Sequence, residues 1–319
     1  MNRIVILDGH TLNPGDNPWD PLEEFGAVVV HDRTPRELLG ERAAGAAILV
    51  TNKAPIPCEA IEALPDLKLI AVTATGYDIV DVAAARALGV TVVNVPRYGT
   101  TAVAQFTWAL ILELCHHVGR HAESVANGDW SRCPDFSYWL TPQVELADKR
   151  LGVVGYGHIG RRVAAIARAF GMSVLAHDGD TATPRDHDDT RWLSIEELFS
   201  EADVVTLHCP LTPATERMVD RSLLRRMRPG AFLVNAARGG LIDEPALVEA
   251  LNEGTIAAAA VDVVSVEPMP ADHPLALAPN CIITPHMAWS ALEARKRIMQ
   301  TTADNIRAFL EGRPQNVVT

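Results

Sequence analysis

Residues 150–178 limit what this chain can fold into more than any other stretch. The run Arg150-Leu151-Gly152-Val153-Val154 has the length and apolar content of a buried strand. It ends at Gly155-Tyr156-Gly157-His158-Ile159-Gly160, after which residues 161–170 have helical spacing. Between a strand and a helix, three glycines at this spacing have separate tasks. The first permits a tight turn, the second lets a phosphate group approach the backbone, and the third lets helix and strand pack closely. The first N–H groups of the helix then face the anion.

A second strand-like run, residues 173–177, ends at Asp178, roughly twenty residues on, where a carboxylate can accept hydrogen bonds from ribose hydroxyls. Gly155, Gly157, Gly160 and Asp178 therefore predict a dinucleotide site. No basic residue follows Asp178 within the next few positions to pair with a 2′-phosphate, so NAD is expected rather than NADP. A glycine turn followed by a solvated acid is the plainer reading, and the complete order of strand, loop, helix, strand and acid weighs against it.

The same alternation of short β-branched runs with helical segments extends along the chain. Residues 4–7, 28–30, 48–51, 69–73 and 90–95 read as strands, with helix-like segments at 34–44 and 80–88 between them. A long apolar helix is expected over 101–118, and an aromatic-studded segment of little periodicity over 127–146. A second series of strands follows at 150–154, 173–177, 204–209, 231–236, 257–261 and 281–284, and residues 291–310 form an amphipathic helix stopped by Gly312 and Pro314. Such alternation implies βαβ units and parallel sheets. At 319 residues the chain exceeds the roughly 250 to 300 that one core serves. Two doubly wound α/β domains are expected, a Rossmann cofactor domain at 99–289 inserted into a flavodoxin-like substrate domain made of 1–98 and 290–319.

Composition removes several classes of function. Twenty-eight basic side chains against forty acidic leave a formal charge of −12 with no basic run, which argues against a nucleic-acid partner. Five scattered cysteines include no C-x-x-C pair, so neither a disulfide framework nor a metal site is expected. No window approaches the roughly 18 apolar residues of a membrane span. The first apolar run, Ile4-Val5-Ile6-Leu7, is too short for a signal sequence, so a cytoplasmic location is expected.

Downstream of the glycine loop, Asn235-Ala236-Ala237-Arg238-Gly239 follows an apolar strand, then come Asp262, Glu267-Pro268 and Thr284-Pro285-His286. In this order the motifs resemble the D-isomer-specific 2-hydroxyacid dehydrogenases over nearly the whole chain. The resemblance implies that Arg238 binds the substrate carboxylate and polarises the keto oxygen, that His286 is the general acid/base, and that Glu267 pairs with it. It implies that Asp262 faces the nicotinamide carboxamide, and that His158, Ile159, His208, Pro210 and Ala236 lie along the cofactor.

The chemistry agrees with these roles. A planar guanidinium matches a carboxylate with a forked pair of donors. Histidine titrates close to working pH, and a neighbouring carboxylate favours imidazolium and orients the ring. Singly, each residue has a duller reading, as a surface charge, an acid before a turn proline, or a packed histidine. Two departures stand out: Ala260 and Val264 occupy positions where the family commonly has glycine and an aromatic. In the first domain, Thr75 and Gly76 follow a strand where family members bind the substrate carboxylate through backbone N–H groups; a structural turn is the alternative.

Residues 98–114, the aromatic stretch 130–139 and the ending 312–318 are most similar to the glycerate dehydrogenase (hydroxypyruvate reductase) branch. That likeness implies hydroxypyruvate or D-glycerate as substrate, with glyoxylate poorer. Other members of the fold suggest an NAD(H)-sensing corepressor-like binding protein, or a dehydrogenase for formate or phosphite. A homodimer is expected from the family and from the apolar helix 101–118 with residues 130–139, although those residues would equally suit the interior of one subunit.

Overall fold

β-branched runs flanked by helices pair in parallel here because each crossover helix returns the chain to the same end of the sheet. The structure, a computed structural model, describes residues 2–179 and 189–319. The chain divides into one unit of Met1–Gly99 with Trp289–Thr319, and another of Thr100–Ala288.

The described residues of the first unit form a five-stranded parallel sheet from β1 (Asn2–Ile6), β2 (Gly26–Val30), β3 (Ile48–Thr51), β4 (Leu69–Val72) and β5 (Thr91–Val93). Its order, β2-β1-β3-β4-β5, is the flavodoxin-like one. β3 and β4 are buried at every position. The helix Leu292–Leu310 covers one face, with Ile298, Met299, Ala303 and Ile306 packed among Ile4, Ile6, Ile48, Val50, Leu69 and Ala71. Arg295 pairs with Asp16, and Asn305 donates to the carbonyl of Asn94 over 2.8 Å, so this helix also ties down the ends of the sheet. Gly312, left-handed at φ 73°, ends it.

The described residues of the second unit form a seven-stranded sheet in the order β12-β11-β10-β9-β6-β7-β8. The strands are β6 (Arg150–Val154), β7 (Ser173–His177), β8 (Arg191–Trp192), β9 (Val204–Leu207), β10 (Phe232–Asn235), β11 (Ala258–Val261) and β12 (Cys281–Ile283). Six of these in order are the Rossmann arrangement, with β12 added at the edge. Along β6, Leu151 and Val153 face the helices Thr100–His116 and His158–Ala169, while Val154 faces the opposite core around Phe199 and Leu247. Ala260, where the family commonly has glycine, is fully buried among Ala104, Trp108 and Ile111. Val264 is buried in the opposite core.

Two expectations change, and one left open is decided. The helix expected over 101–118 stops at His116; His117 turns left-handed at φ 45°, and a second helix, Val118–Ala126, follows. The segment 34–44 is a 3-10 turn, Arg36–Leu38, leading into a short helix, Leu39–Ala43. The apolar side of Thr100–His116, part of the reasoning for a dimer, is buried within its own unit, whereas Trp130, Phe136 and Trp139 are exposed. No described helix is long and apolar enough to cross a membrane.

Candidate active site

In a parallel sheet the carboxyl ends of the strands share one edge, and a ligand crevice opens where the strand order reverses. In the second unit that reversal lies between β6 and β9, where the loops after the two strands meet. Gly155, at φ 89°, holds this junction: a Cβ there would lie 2.5 Å from the amide nitrogen of Cys209 and 2.6 Å from the carbonyl carbon of His208. A Cβ on Gly160 would lie 2.2 Å from the carbonyl oxygen of Gly155, so only glycine lets the helix His158–Ala169 approach β6 this closely. A Cβ on Gly157 would meet nothing within 4 Å among the described residues. The turn, the close packing and the open approach are thus divided among the three glycines.

Asp178, at the end of β7, accepts a 2.7 Å hydrogen bond from the backbone N–H of Tyr156, which brings its carboxylate beside the loop. Open space at Gly157, N–H groups at the helix start and an acid next to them fit a dinucleotide. His158 and Ile159 are the first two residues of that helix. Of the residues following Asp178 in sequence, 180–188 lie outside the described set.

His208 follows β9 directly, Pro210 is exposed beyond it, and Ala236 follows β10. The Nε2 of His208 is buried with no hydrogen-bond partner among the described residues. Burial lowers the pKa of its ring to about 4, so it is neutral at working pH. Burial also pushes the neighbouring Cys209 thiol up to about 11, which keeps it protonated.

At the other end of the same edge, His286 stands on the loop after β12, half-buried and left-handed at φ 51°. Its Nδ1 lies 2.6 Å from Oε2 of Glu267. An ionised carboxylate can only accept, so Nδ1 carries a hydrogen and Nε2 is left without a partner among the described residues. Glu267 also accepts from the N–H of Val264 through Oε1, at 3.2 Å.

A left-handed conformation costs a non-glycine residue roughly 1–2 kcal/mol, and the surroundings must enforce it. Asp262 does so. Its carboxylate, at the end of β11 and 1% exposed, accepts the Thr284 hydroxyl at 2.6 Å and the N–H groups of Met287 and Ala288 at 2.9 and 2.8 Å. Its carbonyl oxygen accepts the N–H of His286 at 2.7 Å. Sequence reasoning assigns Asp262 to the cofactor and misses this clamp, whose signal is weak because the partners are mostly backbone groups.

Arg238 sits on the turn after β10. Buried Asn235 shapes the turn, donating to the carbonyl of Arg238 at 2.9 Å and accepting the N–H of Ala237 at 3.0 Å. The Arg238 side chain is exposed and makes one hydrogen bond among the described residues, to the carbonyl of Ala237. Most of its donors remain available.

Thr75 and Gly76 belong to the first unit, on the loop after β4. The Thr75 hydroxyl donates to the carbonyl of Val95 at 2.9 Å, and Asn94 donates to the Thr75 carbonyl at 2.8 Å. The two backbone N–H groups have no partner among the described residues. Beside this loop, Asn52 donates to the carbonyl and hydroxyl oxygens of Thr73, and Asp8 accepts the N–H groups of Asn52 and Ala54, each at 2.8 Å.

Known proteins resemble this chain over its length. The family profile described as "D-isomer specific 2-hydroxyacid dehydrogenase, NAD binding domain" matches residues 108–288. The chain is 46% identical over 319 residues to a hydroxypyruvate reductase of Blautia hydrogenotrophica, covering 99% of each protein. It is 44% identical over 318 residues to a glycerate dehydrogenase of Methylorubrum extorquens, covering 99% of this chain and 98% of that one. A crystal structure of a Thermus thermophilus protein superposes with a TM-score of 0.87 at 38% identity, covering 99% of this chain and all of that one. By its profile, its full-length relatives and its two parallel sheets, the chain belongs to the D-isomer-specific 2-hydroxyacid dehydrogenases, oxidoreductases that act on a CH–OH group with a nicotinamide cofactor.

Proposed function

We propose that the enzyme reduces hydroxypyruvate to D-glycerate with NADH, reversibly, and glyoxylate less well. The observation that carries the acid/base reading is the 2.6 Å contact between His286 Nδ1 and Glu267, which leaves Nε2 to hold and deliver a proton. Full-length relatives named hydroxypyruvate reductase and glycerate dehydrogenase support the substrate. The bound nicotinamide supplies the hydride. Arg238 binds the substrate carboxylate through its fork and draws charge onto the keto oxygen, and the N–H groups of Thr75 and Gly76 offer a carboxylate a second pair of donors. Nε2 of His286 then gives its proton to that oxygen as the alcohol forms, and Glu267 stabilises the imidazolium beforehand.

The preference for NADH rests on Asp178, whose charge would repel a 2′-phosphate. Gly155, Gly157, His158, Ile159, Gly160, His208, Pro210 and Ala236 line the cofactor in this reading. Asp262 keeps one lone-pair position for the carboxamide beside its three internal bonds. A homodimer formed through exposed Trp130, Phe136 and Trp139 belongs to the same reading, and a sedimentation experiment returning a monomer at micromolar concentration would remove it. So does a cytoplasmic location, which cell fractionation tests.

The principal experiment measures NADH and NADPH oxidation across hydroxypyruvate, glyoxylate, pyruvate and 3-phosphohydroxypyruvate, with formate and phosphite assayed in the oxidative direction. Hydroxypyruvate with NADH should give the highest kcat/KM. A better rate with NADPH would refute the Asp178 assignment. Reduction consumes the His286 proton, so it should fall as pH rises, and Glu267→Gln should move that fall to lower pH because imidazolium loses its partner.

A further inference from the structure

The residue proposed to load His286 stands on a poor foundation if judged by its own loop. Ser265, Val266, Glu267 and Pro268 are all exposed and lie outside any strand or helix. Yet the Glu267 to His286 hydrogen bond demands accuracy: lengthened by 1 Å from 2.6 Å it ceases to be one. The carboxylate of Glu267 bonds within its own loop to the N–H of Val264, which cannot fix the loop against the rest of the unit. Groups outside the loop also hold it.

Two features meet it there. The backbone of Val264 presses so closely on Gly239 that a Cβ on that glycine would lie 1.9 Å from the Val264 carbonyl carbon. On the other side is Glu244, the first residue of the helix Glu244–Asn252. Its side chain is 12% exposed and turns to the loop, accepting the N–H of Ser265 at 2.7 Å and the Ser265 hydroxyl at 2.5 Å. His273, 11% exposed, completes the cluster. Its Nδ1 accepts the N–H of Leu275 at 3.3 Å, so the hydrogen is on Nε2, which donates to Glu244 over 3.3 Å. A carboxylate this buried, with three donors on it, resists displacement. It grips the loop two residues before Glu267.

We propose that Glu244 is a positioning residue for the acid/base pair, holding the 264–267 loop through Ser265 so that Glu267 meets His286. This rests on the reading of Glu267 and His286 as that pair. Among the described contacts, the charged and titratable groups around the linkage include Glu267 and Asp262 at His286, and His273 and the N-capping Asp243 at Glu244. A role confined to folding would lower thermal stability and scale activity equally at every pH. Positioning of Glu267 would instead change the pH at which reduction fails.

The experiment compares pH profiles of hydroxypyruvate reduction by the holoenzyme for Glu267→Gln, Glu244→Ala, Glu244→Gln, Ser265→Ala and the double variant Glu244→Ala/Glu267→Gln, with NADH binding followed by fluorescence. Glu244→Ala should move the alkaline limb in the direction of Glu267→Gln but not as far. Ser265→Ala should move it less, and Glu244→Gln, which keeps an acceptor for the Ser265 N–H, should restore part of the parent profile. The double variant should superimpose on Glu267→Gln, because a positioning residue has nothing left to position. NADH binding should stay within about twofold throughout.

Profiles for Glu244→Ala and Ser265→Ala that overlie the parent, with only the melting temperature lowered, would overturn the proposal, as would an additive shift in the double variant. If Glu244→Ala does not fold, Ser265→Ala and Glu244→Gln decide the matter. If Glu267→Gln itself leaves the limb in place, the acid/base reading fails and this inference with it. If Glu267→Gln moves the limb and the Glu244 and Ser265 variants do not, the inference alone fails.

Discussion

The glycine loop and the His286 loop lie along the same edge of one sheet and are built on opposite plans. Around Gly155, Gly157 and Gly160 the working surface is backbone, and side chains matter through their absence. Around His286 the backbone is held in an unfavourable conformation by side chains, the buried carboxylate of Asp262 above all. A site made of backbone depends on volume and φ, so an added methyl group harms it more than a changed charge. One made of carboxylates and an imidazole depends on charge and pH. Substitutions should separate the two.

The largest effect belongs to the side-chain site. His286→Ala should lower keto-acid turnover on the order of 10² to 10⁴ while NADH binding, followed by fluorescence, stays close to the parent. Equal losses in both would show that the two loops are not separable.

Next comes the junction of the backbone site. At Gly155 an added methyl would overlap the backbone of His208 and Cys209, and the φ of 89° is strained for any other residue. Gly155→Ala should therefore cost about 3 kcal/mol of stability and weaken NADH binding, as urea unfolding and calorimetry would report. An unaltered unfolding midpoint would contradict the geometry.

The ring of His208, beside the Gly155 junction, should respond to pH. Its folded pKa, lowered to about 4, lies below the ordinary 6.5, so the unfolded chain takes up a proton first as pH falls. Stability present above the unfolded value is lost through the window between the two. At pH 5 that loss is about 2 kcal/mol. The advantage of the parent over a His208→Gln variant should narrow by that much between pH 7 and pH 5, and a constant difference would show that the ring is not buried neutral.

The smallest effect on stability, and the sharpest contrast within the loop, is expected at Gly157. A methyl there meets no atom of the described residues, so Gly157→Ala should change stability by less than ~0.5 kcal/mol while still lowering NADH affinity by about tenfold, since it occupies the space a pyrophosphate needs. A loss of stability like that of Gly155→Ala would mean the loop is uniformly packed.

The backbone site was the more readable from sequence, because glycine is the one residue type whose identity states a backbone requirement directly. Asp178 was readable for a similar reason, its place being set by the length of one βαβ step. His286, Glu267 and Arg238 were found by their order along the chain, and nothing in that order shows which atoms touch. The break at His117 was not readable, since a left-handed turn at a histidine has no marker in composition or periodicity. Nor was the two-residue strand β8, too short to show an alternation.

From its sequence alone the chain has two parallel doubly wound sheets and a glycine loop fit for a dinucleotide, because period and turn chemistry are local properties, and the order of its motifs resembles that of the hydroxyacid dehydrogenases. Tertiary structure alone decided that Asp262 clamps the loop of His286 and that Glu244 grips the loop of Glu267. Both carboxylates act on groups about twenty residues or more away in sequence, through hydrogen bonds of 2.5 to 2.9 Å that form only once β11, β12 and the helix Glu244–Asn252 have come together. A carboxylate's partners are chosen by distance in space, which the spacing of residues along a chain does not encode.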